Sequence, residues 1–164
     1  MNYKHKQIIN REIFFYISAS VLLAVFFCVF GLFNAQDTNA EEFTCDSCLD
    51  CSSKIQSAVS GNIIILTTDI NDHDGTCIDF RGSTGGITFD GDDHFISGDN
   101  DYSGYGIRFY INSNNTIRNC EISYFSRGIY VYAGSNNIFQ NIQCNSNHGN
   151  GIMINDSSSN TMDN

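Results

Sequence analysis

Basic residues are scarce in this chain. Its 164 residues hold eight lysines and arginines against 18 aspartates and glutamates, a net charge of −10. That balance excludes a nucleic-acid partner, whose phosphates need a basic face. Proline and tryptophan are absent altogether. Isoleucine, phenylalanine and tyrosine are plentiful, so the composition is not that of a disordered chain, and the length suits one modest domain. Helical spacing is lacking in the second half, where apolar and polar residues alternate instead, and this excludes helical repeats.

The N-terminus is the exception to the shortage of bases. Lys4, Lys6 and Arg11 precede an uncharged run over residues 13–33. In a helix that run reaches about 31 Å at ~1.5 Å per residue, the thickness of a bilayer core. Asp37, Glu41 and Glu42 follow it. The charge asymmetry predicts a cytoplasmic flank over 1–12, a transmembrane anchor or signal helix over 13–34, and export of the remainder. A cleaved signal usually has a shorter apolar core, but Thr-Asn-Ala ending at Ala40 offers a small-residue cleavage site, so anchor and signal both stay open. Either way, the residues from about 41 onward are expected outside the cytoplasm, on the cell surface or in the envelope.

A repeat dominates the rest. Gly106-Ile107-Arg108-Phe109 recurs as Gly128-Ile129-Tyr130-Val131 and as Gly151-Ile152-Met153-Ile154, at offsets of 22 and 23. Asn115-Thr116-Ile117 recurs at the same offsets as Asn137-Ile138-Phe139 and Asn160-Thr161-Met162. Fixed-period self-similarity marks a repeat architecture. A period near 22 built from short alternating runs is met by a coil of strands and bends stacked on the next coil about 4.8 Å away. Ile107, Ile129 and Ile152 then form one apolar column, Phe109, Val131 and Ile154 a second, and Ile117, Phe139 and Met162 a third. An inward position asks only for apolar bulk, which explains the loose identity. Asparagines suit the corners, where left-handed backbone angles are needed, and stacked amides hydrogen-bond along a column. Asn119, Asn141 and Asn164 are the expected ladder.

The units "NNTIRNCEISYFSRGIYVY" and "GITFDGDDHFISGDN" resemble right-handed parallel β-helix proteins of the NosD and pectate-lyase-like type. The resemblance covers roughly residues 61–164. It implies exported proteins that often handle carbohydrate, and it carries no catalytic residues over, because the shared positions are those that make the coil.

The expected architecture is therefore all-β: a right-handed parallel β-helix of about four short coils over 61–164, with a Cys-rich linker and capping helix over 35–60. The segment "SSKIQSAVSG" offers Ser52 or Ser53 as helix N-cap and Gly61 as a stop. A helix there would cover the open end of the first coil. From Ile78 to Ile107 the spacing is 29, and the surplus is expected in a loop over 97–105. No capping helix follows Met162, so the reading is a C-terminally truncated β-helix, with end-to-end self-association through the last coil as an alternative.

Several side chains are candidates for chemistry. Cys45, Cys48 and Cys51 begin a ferredoxin-like spacing, but the fourth cysteine and its proline are missing. Zinc held by these three with Cys77 or a histidine is one reading, and disulfides among Cys45, Cys48, Cys51 and Cys77 are the other. Cys120 and Cys144 replace apolar residues of the repeat and read as core thiols. Asp90, Asp92, Asp93, Asp99 and Asp101 crowd one region, as solvated bends or as a calcium site, and no other cofactor is expected. Tyr110, Tyr130 and Tyr132 project outward from neighbouring coils and could stack on sugar rings. Asn114 and Asn155 head glycosylation sequons.

These residues suggest an exported or anchored cell-surface module for recognition or scaffolding, with polysaccharide as its partner. A polysaccharide lyase or glycoside hydrolase fragment is the alternative. A NosD-like periplasmic accessory comes last, since no Met- and His-rich copper site is present.

Overall fold

Side chains on a strand point alternately to its two faces, so a run such as "IRFY" can bury every second residue. A computed structural model of the protein, which describes residues 40–163, shows this arrangement. The basic flank at 1–12, the apolar run at 13–34 and Asn164 lie outside the described residues. Among the described residues no helix is long and apolar enough to cross a membrane.

The chain runs β1 (Glu42–Cys45), α1 (Cys48–Ser57), β2 (Ile63–Leu66), β3 (Ile70–His73), β4 (Ile78–Asp79), β5 (Thr88–Asp90) and β6 (Phe95–Gly98). It continues through β7 (Tyr105–Tyr110), β8 (Thr116–Ser123), β9 (Arg127–Tyr132), β10 (Ile138–Asn145), β11 (Ile152–Asn155) and β12 (Thr161–Asp163). Every pairing is parallel. One side of the coil stacks β1, β2, β5, the first half of β8, the first half of β10, and β12. A second side stacks β3, β6 and the second halves of β8 and β10. The third side is a separate sheet in the order β4, β7, β9, β11. Glu42 pairs with Ile63, then Thr88, Thr116, Ile138 and Thr161 follow in register, in steps of 21, 25, 28, 22 and 23 residues. The result is a right-handed parallel solenoid of about five turns with one short helix.

The count exceeds the expected four because β1 lies in the segment read as a linker. Its sequence EFTC carries only two apolar residues, too few to signal a strand alone. It forms because Phe43 stacks on Ile64 and Cys45 on Leu66.

The expected columns are present. Ile107, Ile129 and Ile152 are in register, as are Phe109, Val131 and Ile154. Ile117, Phe139 and Met162 continue a column that runs upstream through Phe89, Ile64 and Phe43. Ile64, Phe89, Ile117, Ile107, Ile129 and Val131 are fully buried. Each such side chain contributes about 2 kcal/mol relative to exposure. The repeated glycine has a packing cause: a Cβ on Gly106 would stand 2.7 Å from the Gly128 carbonyl oxygen, and one on Gly128 2.5 Å from that of Gly151.

The 29-residue interval divides unequally. The regular coil spends nine residues from Ile107 to Thr116, six to Ile122 and seven to Ile129. The interval from Ile78 spends ten residues to Thr88, eight to Ile96 and eleven to Ile107. Four of the seven extra residues therefore lie in the bend expected at 97–105. Two more lie at Gly91–His94, where four residues stand opposite Asn119 and Cys120 of the next coil.

The helix also starts earlier than expected. Its N-cap is Ser47, whose hydroxyl accepts from the Asp50 amide at 3.4 Å, and it ends with Ala58 as C-cap. Ser52 is not a cap. It is buried, donates to the Cys77 carbonyl and accepts from the Asp79 amide, both at 3.0 Å. Gly61 lies beyond the helix with φ +97°, in the turn into β2.

Candidate functional site

Parallel stacking turns a sequence period into a surface pattern: outward residues one coil apart become neighbours. The outer face of the β4–β7–β9–β11 sheet concentrates tyrosine and arginine in this way. Arg108 lies between Asp79 and Tyr130, and Tyr132 between Tyr110 and Asn155. Tyr105 and Arg127 pair at the strand starts. Tyr110 and Tyr132 stack at 5.3 Å between ring centroids, and Tyr105 and Tyr130 at 4.8 Å. The Arg127 guanidinium lies 5.9 Å from the Tyr105 ring and 5.7 Å from that of Tyr130, and Arg108 lies 6.0 Å from Tyr105. These distances suit cation–π attraction.

Of the expected aromatic residues, Tyr110, Tyr130 and Tyr132 thus share one face, and Tyr105 joins them. The rings stack on each other along the solenoid axis. A ligand therefore meets ring edges and hydroxyls more than open ring faces. Among the described residues none of the four phenol oxygens has a hydrogen-bond partner in the protein.

Charge on this face is ordered by Asp79. Its carboxylate accepts from Arg108 Nη2 at 2.6 Å and from Arg81 Nε at 2.8 Å. Burial alone would raise its pKa. The hydrogen bonds from Arg108 and from the Arg81 amide and side chain outweigh that and hold it below the usual carboxylate range. Among the described residues Arg127 has no carboxylate partner, and its Nε is buried without a hydrogen bond.

The five aspartates expected as a calcium site do not form one cluster. Asp90 is buried and bound by Arg118 at 2.7 Å and Asn119 at 3.0 Å. Burial raises its pKa, but the Asp92 amide, Asn119 and Arg118 bring it below the ordinary value. Asp92 and Asp93 occupy an exposed bend with φ of 48° and 64°. Asp99 and Asp101 belong to a different bend, where their oxygens come within 4.8 Å of Asp74, a residue outside the expected set. The Ser103 hydroxyl and amide lower the Asp101 pKa. Only stacking brings Asp74 beside Asp101, so sequence spacing could not have found it.

The cysteines pair as Cys45–Cys51 and Cys48–Cys77. Cys77 is the distant partner that ties the helix to the coil. Donor atoms of Cys48, Cys77 and His73 also lie within 4.8 Å, but the two sulfurs are bonded to each other, so the zinc reading gives way to the disulfide. Disulfides form and persist in oxidising compartments. Cys120 and Cys144 are free thiols aligned with Ile142 and Ile122. Burial raises both, the Cys144 thiol to about 12, so neither is a reactive thiolate at neutral pH.

Asn141 Nδ2 donates to Asn119 Oδ1 at 3.1 Å, and the row continues to Asp90. Both asparagines turn strand corners with φ near 50°. A second ladder lies deeper: Asn115 Nδ2 donates to Asn137 Oδ1 at 3.2 Å, both residues fully buried, and Asn137 Nδ2 to the half-buried Asn160 Oδ1 at 3.1 Å. The repeat unit Asn-Thr-Ile already contained this column. Of the sequon residues, Asn114 is exposed on a bend with φ 62°, and Asn155 is half-buried in β11.

A shallow depression of about 130 Å³ lies between β1 and α1, lined by Phe43, Lys54, Ala58 and Val59. It holds one carboxylate, Glu41, where acid–base hydrolysis of a glycoside uses two.

Parallel pairing, a stacked apolar core and turns of near-constant length define a parallel β-solenoid. The family model for the right-handed β-helix region matches residues 60–164, and the chain belongs to that family. The match begins after α1, so β1 and the helix lie outside it. No curated protein and no solved structure matches the chain.

Proposed function

We propose that this protein is an exported, non-catalytic recognition or scaffold module whose binding face is the outer surface of the β4–β7–β9–β11 sheet. The observation that carries the reading is the set of four tyrosine hydroxyls on the two neighbouring strands β7 and β9, with one guanidinium, none of which has a polar partner among the described residues. Such a row suits a linear polymer with a repeating polar unit, and polysaccharide is the ligand class that fits. Tyrosine serves positions that are apolar on one side and wet on the other. The disulfides support a location outside the cytoplasm, and the uncharged run over 13–34 supplies either a membrane anchor or a signal.

The carboxylates support a binding role. Asp79 and Asp90 are committed to arginines, and the remaining acids of the expected cluster sit on separate exposed bends. Retention of the full chain on immobilised polysaccharides tests the proposal. Tyr110→Ala with Tyr132→Ala should weaken retention about tenfold, with little change in melting temperature. No retention on any polysaccharide sinks the proposal. Release of new reducing or unsaturated ends from the polymer would replace it with the lyase or hydrolase reading.

A further inference from the structure

We infer that the Cys48–Cys77 disulfide masks a metal site: once a dithiol has reduced it, the two sulfurs and His73 hold a Zn2+ ion. Donor atoms of Cys48, Cys77 and His73 all lie within 4.8 Å of one another. At about 2.3 Å to sulfur and about 2.1 Å to nitrogen, the donors of one tetrahedral zinc stand roughly 3.6–3.8 Å apart, a spacing that side-chain rotation reaches once the S–S bond is open. His73 ends β3 and Cys77 directly precedes β4, so one tight turn brings this pair together, and α1 delivers Cys48 from the coil before. Two sulfurs and an imidazole suit zinc, whereas calcium and magnesium take oxygen donors.

Two features keep the donors together when the bond is open. Ser52 donates to the Cys77 carbonyl and accepts from the Asp79 amide, both at 3.0 Å, which holds α1 against the start of β4. The His73 ring is fixed through Nε2, 3.3 Å from the Thr76 carbonyl oxygen, and metal-bound imidazoles make such a bond with their second nitrogen. Cys48 stands in the first turn of a ten-residue helix, whose dipole favours an anionic sulfur. Both cysteines are buried, and half-buried His73 is the member of the group that solvent reaches. Asp74 follows His73, with Asp99 and Asp101 close to it, and their charge draws cations to this corner. The dithiol gives two electrons and two protons to the disulfide while its own sulfurs join. The two thiols so formed lose their protons to solvent as zinc binds. Three protein donors leave the fourth position to water. The cap is then closed by sulfur in an oxidising compartment and by metal in a reducing one.

The test is metal binding by the full chain, oxidised and after reduction by a phosphine that is then removed, with cobalt(II) standing in for zinc. The reduced chain should take up cobalt with thiolate-to-cobalt charge-transfer absorption, and zinc should shield Cys48 and Cys77 from alkylation in peptide mapping. The oxidised chain should show neither. His73→Ala should weaken cobalt binding about tenfold or more and dim the tetrahedral d–d absorption, while still forming the Cys48–Cys77 bond in air. Cys45→Ser with Cys51→Ser should leave the charge-transfer absorption in place. No metal uptake by the reduced chain, uptake unchanged by His73→Ala, or shielding confined to Cys45 and Cys51 overturns the inference. Uptake without charge-transfer absorption assigns the metal to the carboxylates of Asp74, Asp99 and Asp101 and overturns it too.

Discussion

The coils up to residue 104 and those from Tyr105 onward share one core but are held together by different means. In the later coils the period is 22 or 23, and the column of Asn115, Asn137 and Asn160 is joined amide to amide. Tyrosines stack on tyrosines across the same coils. In the earlier coils the steps are 21, 25 and 28. The register partners of that asparagine column are Ile87 and, further back, Asn62, so the ladder is broken. Its place is taken by two disulfides, by Ser52 bridging Cys77 and Asp79, and by Asn112, which donates to the Phe80 and Ser83 carbonyls across the enlarged bend. The amide ladder runs where the coils are nearly equal in length. Where the lengths differ, covalent and one-off polar links do the same work.

The sharpest way to break this comparison is to remove the bolt. Cys48→Ser with Cys77→Ser opens a 29-residue closure and should cost about 3.5 kcal/mol by loop-entropy reasoning. Hydrogen exchange should show the loss in β1 to β4, with β8 to β10 still protected. Uniform loss of protection would mean that the two regions are one cooperative unit.

The matching break in the later coils is Asn137→Ala. It strands the Asn115 backbone amide, takes one acceptor from the Asn115 side chain and removes the donor to the Asn112 carbonyl, groups that are buried. The expected cost is about 2–3 kcal/mol in urea unfolding. A cost near zero would show that the ladder is ornamental.

The smallest effect concerns the joint between the regions. Asp79 links β4 to β7 through Arg108, and Asp90 links β5 to β8 through Arg118. Both carboxyls titrate below the ordinary aspartate value of about 3.9. Their folded pKa values are depressed, so this stabilisation is complete above about pH 4 and is lost as pH falls through the folded values. Solvent reaches both pairs, and the loss should be on the order of 1 kcal/mol or less. Asp79→Asn should flatten that part of the acid-unfolding curve, and an unaltered curve would assign it to other groups.

The repeat was legible because its signal is redundant: each column is sampled at least three times, and Ile107, Ile129 and Ile152 report the same inward position. β1 was not legible, because a single EFTC at the end of the stack has no internal copy to vote for it. The candidate site was half legible. Tyr110, Tyr130 and Tyr132 follow from strand alternation, whereas Tyr105 and Arg127 sit at strand starts where alternation does not reach. The acid cluster failed for a related reason: neighbours in sequence, Asp90 and Asp99, fall on different bends, and Asp74 joins Asp99 from the coil before.

By itself, then, the sequence determined the β-helix, its period, its inward columns and the inert character of Cys120 and Cys144. These follow from alternation and repetition, which are local properties of a strand. Tertiary structure alone decided which cysteine pairs with Cys77, which asparagines form the buried ladder, and that Arg127 stands beside two tyrosines. Those facts depend on what lies one coil above or below, and a bend that gains or loses a residue changes every such neighbour without altering the pattern within a strand.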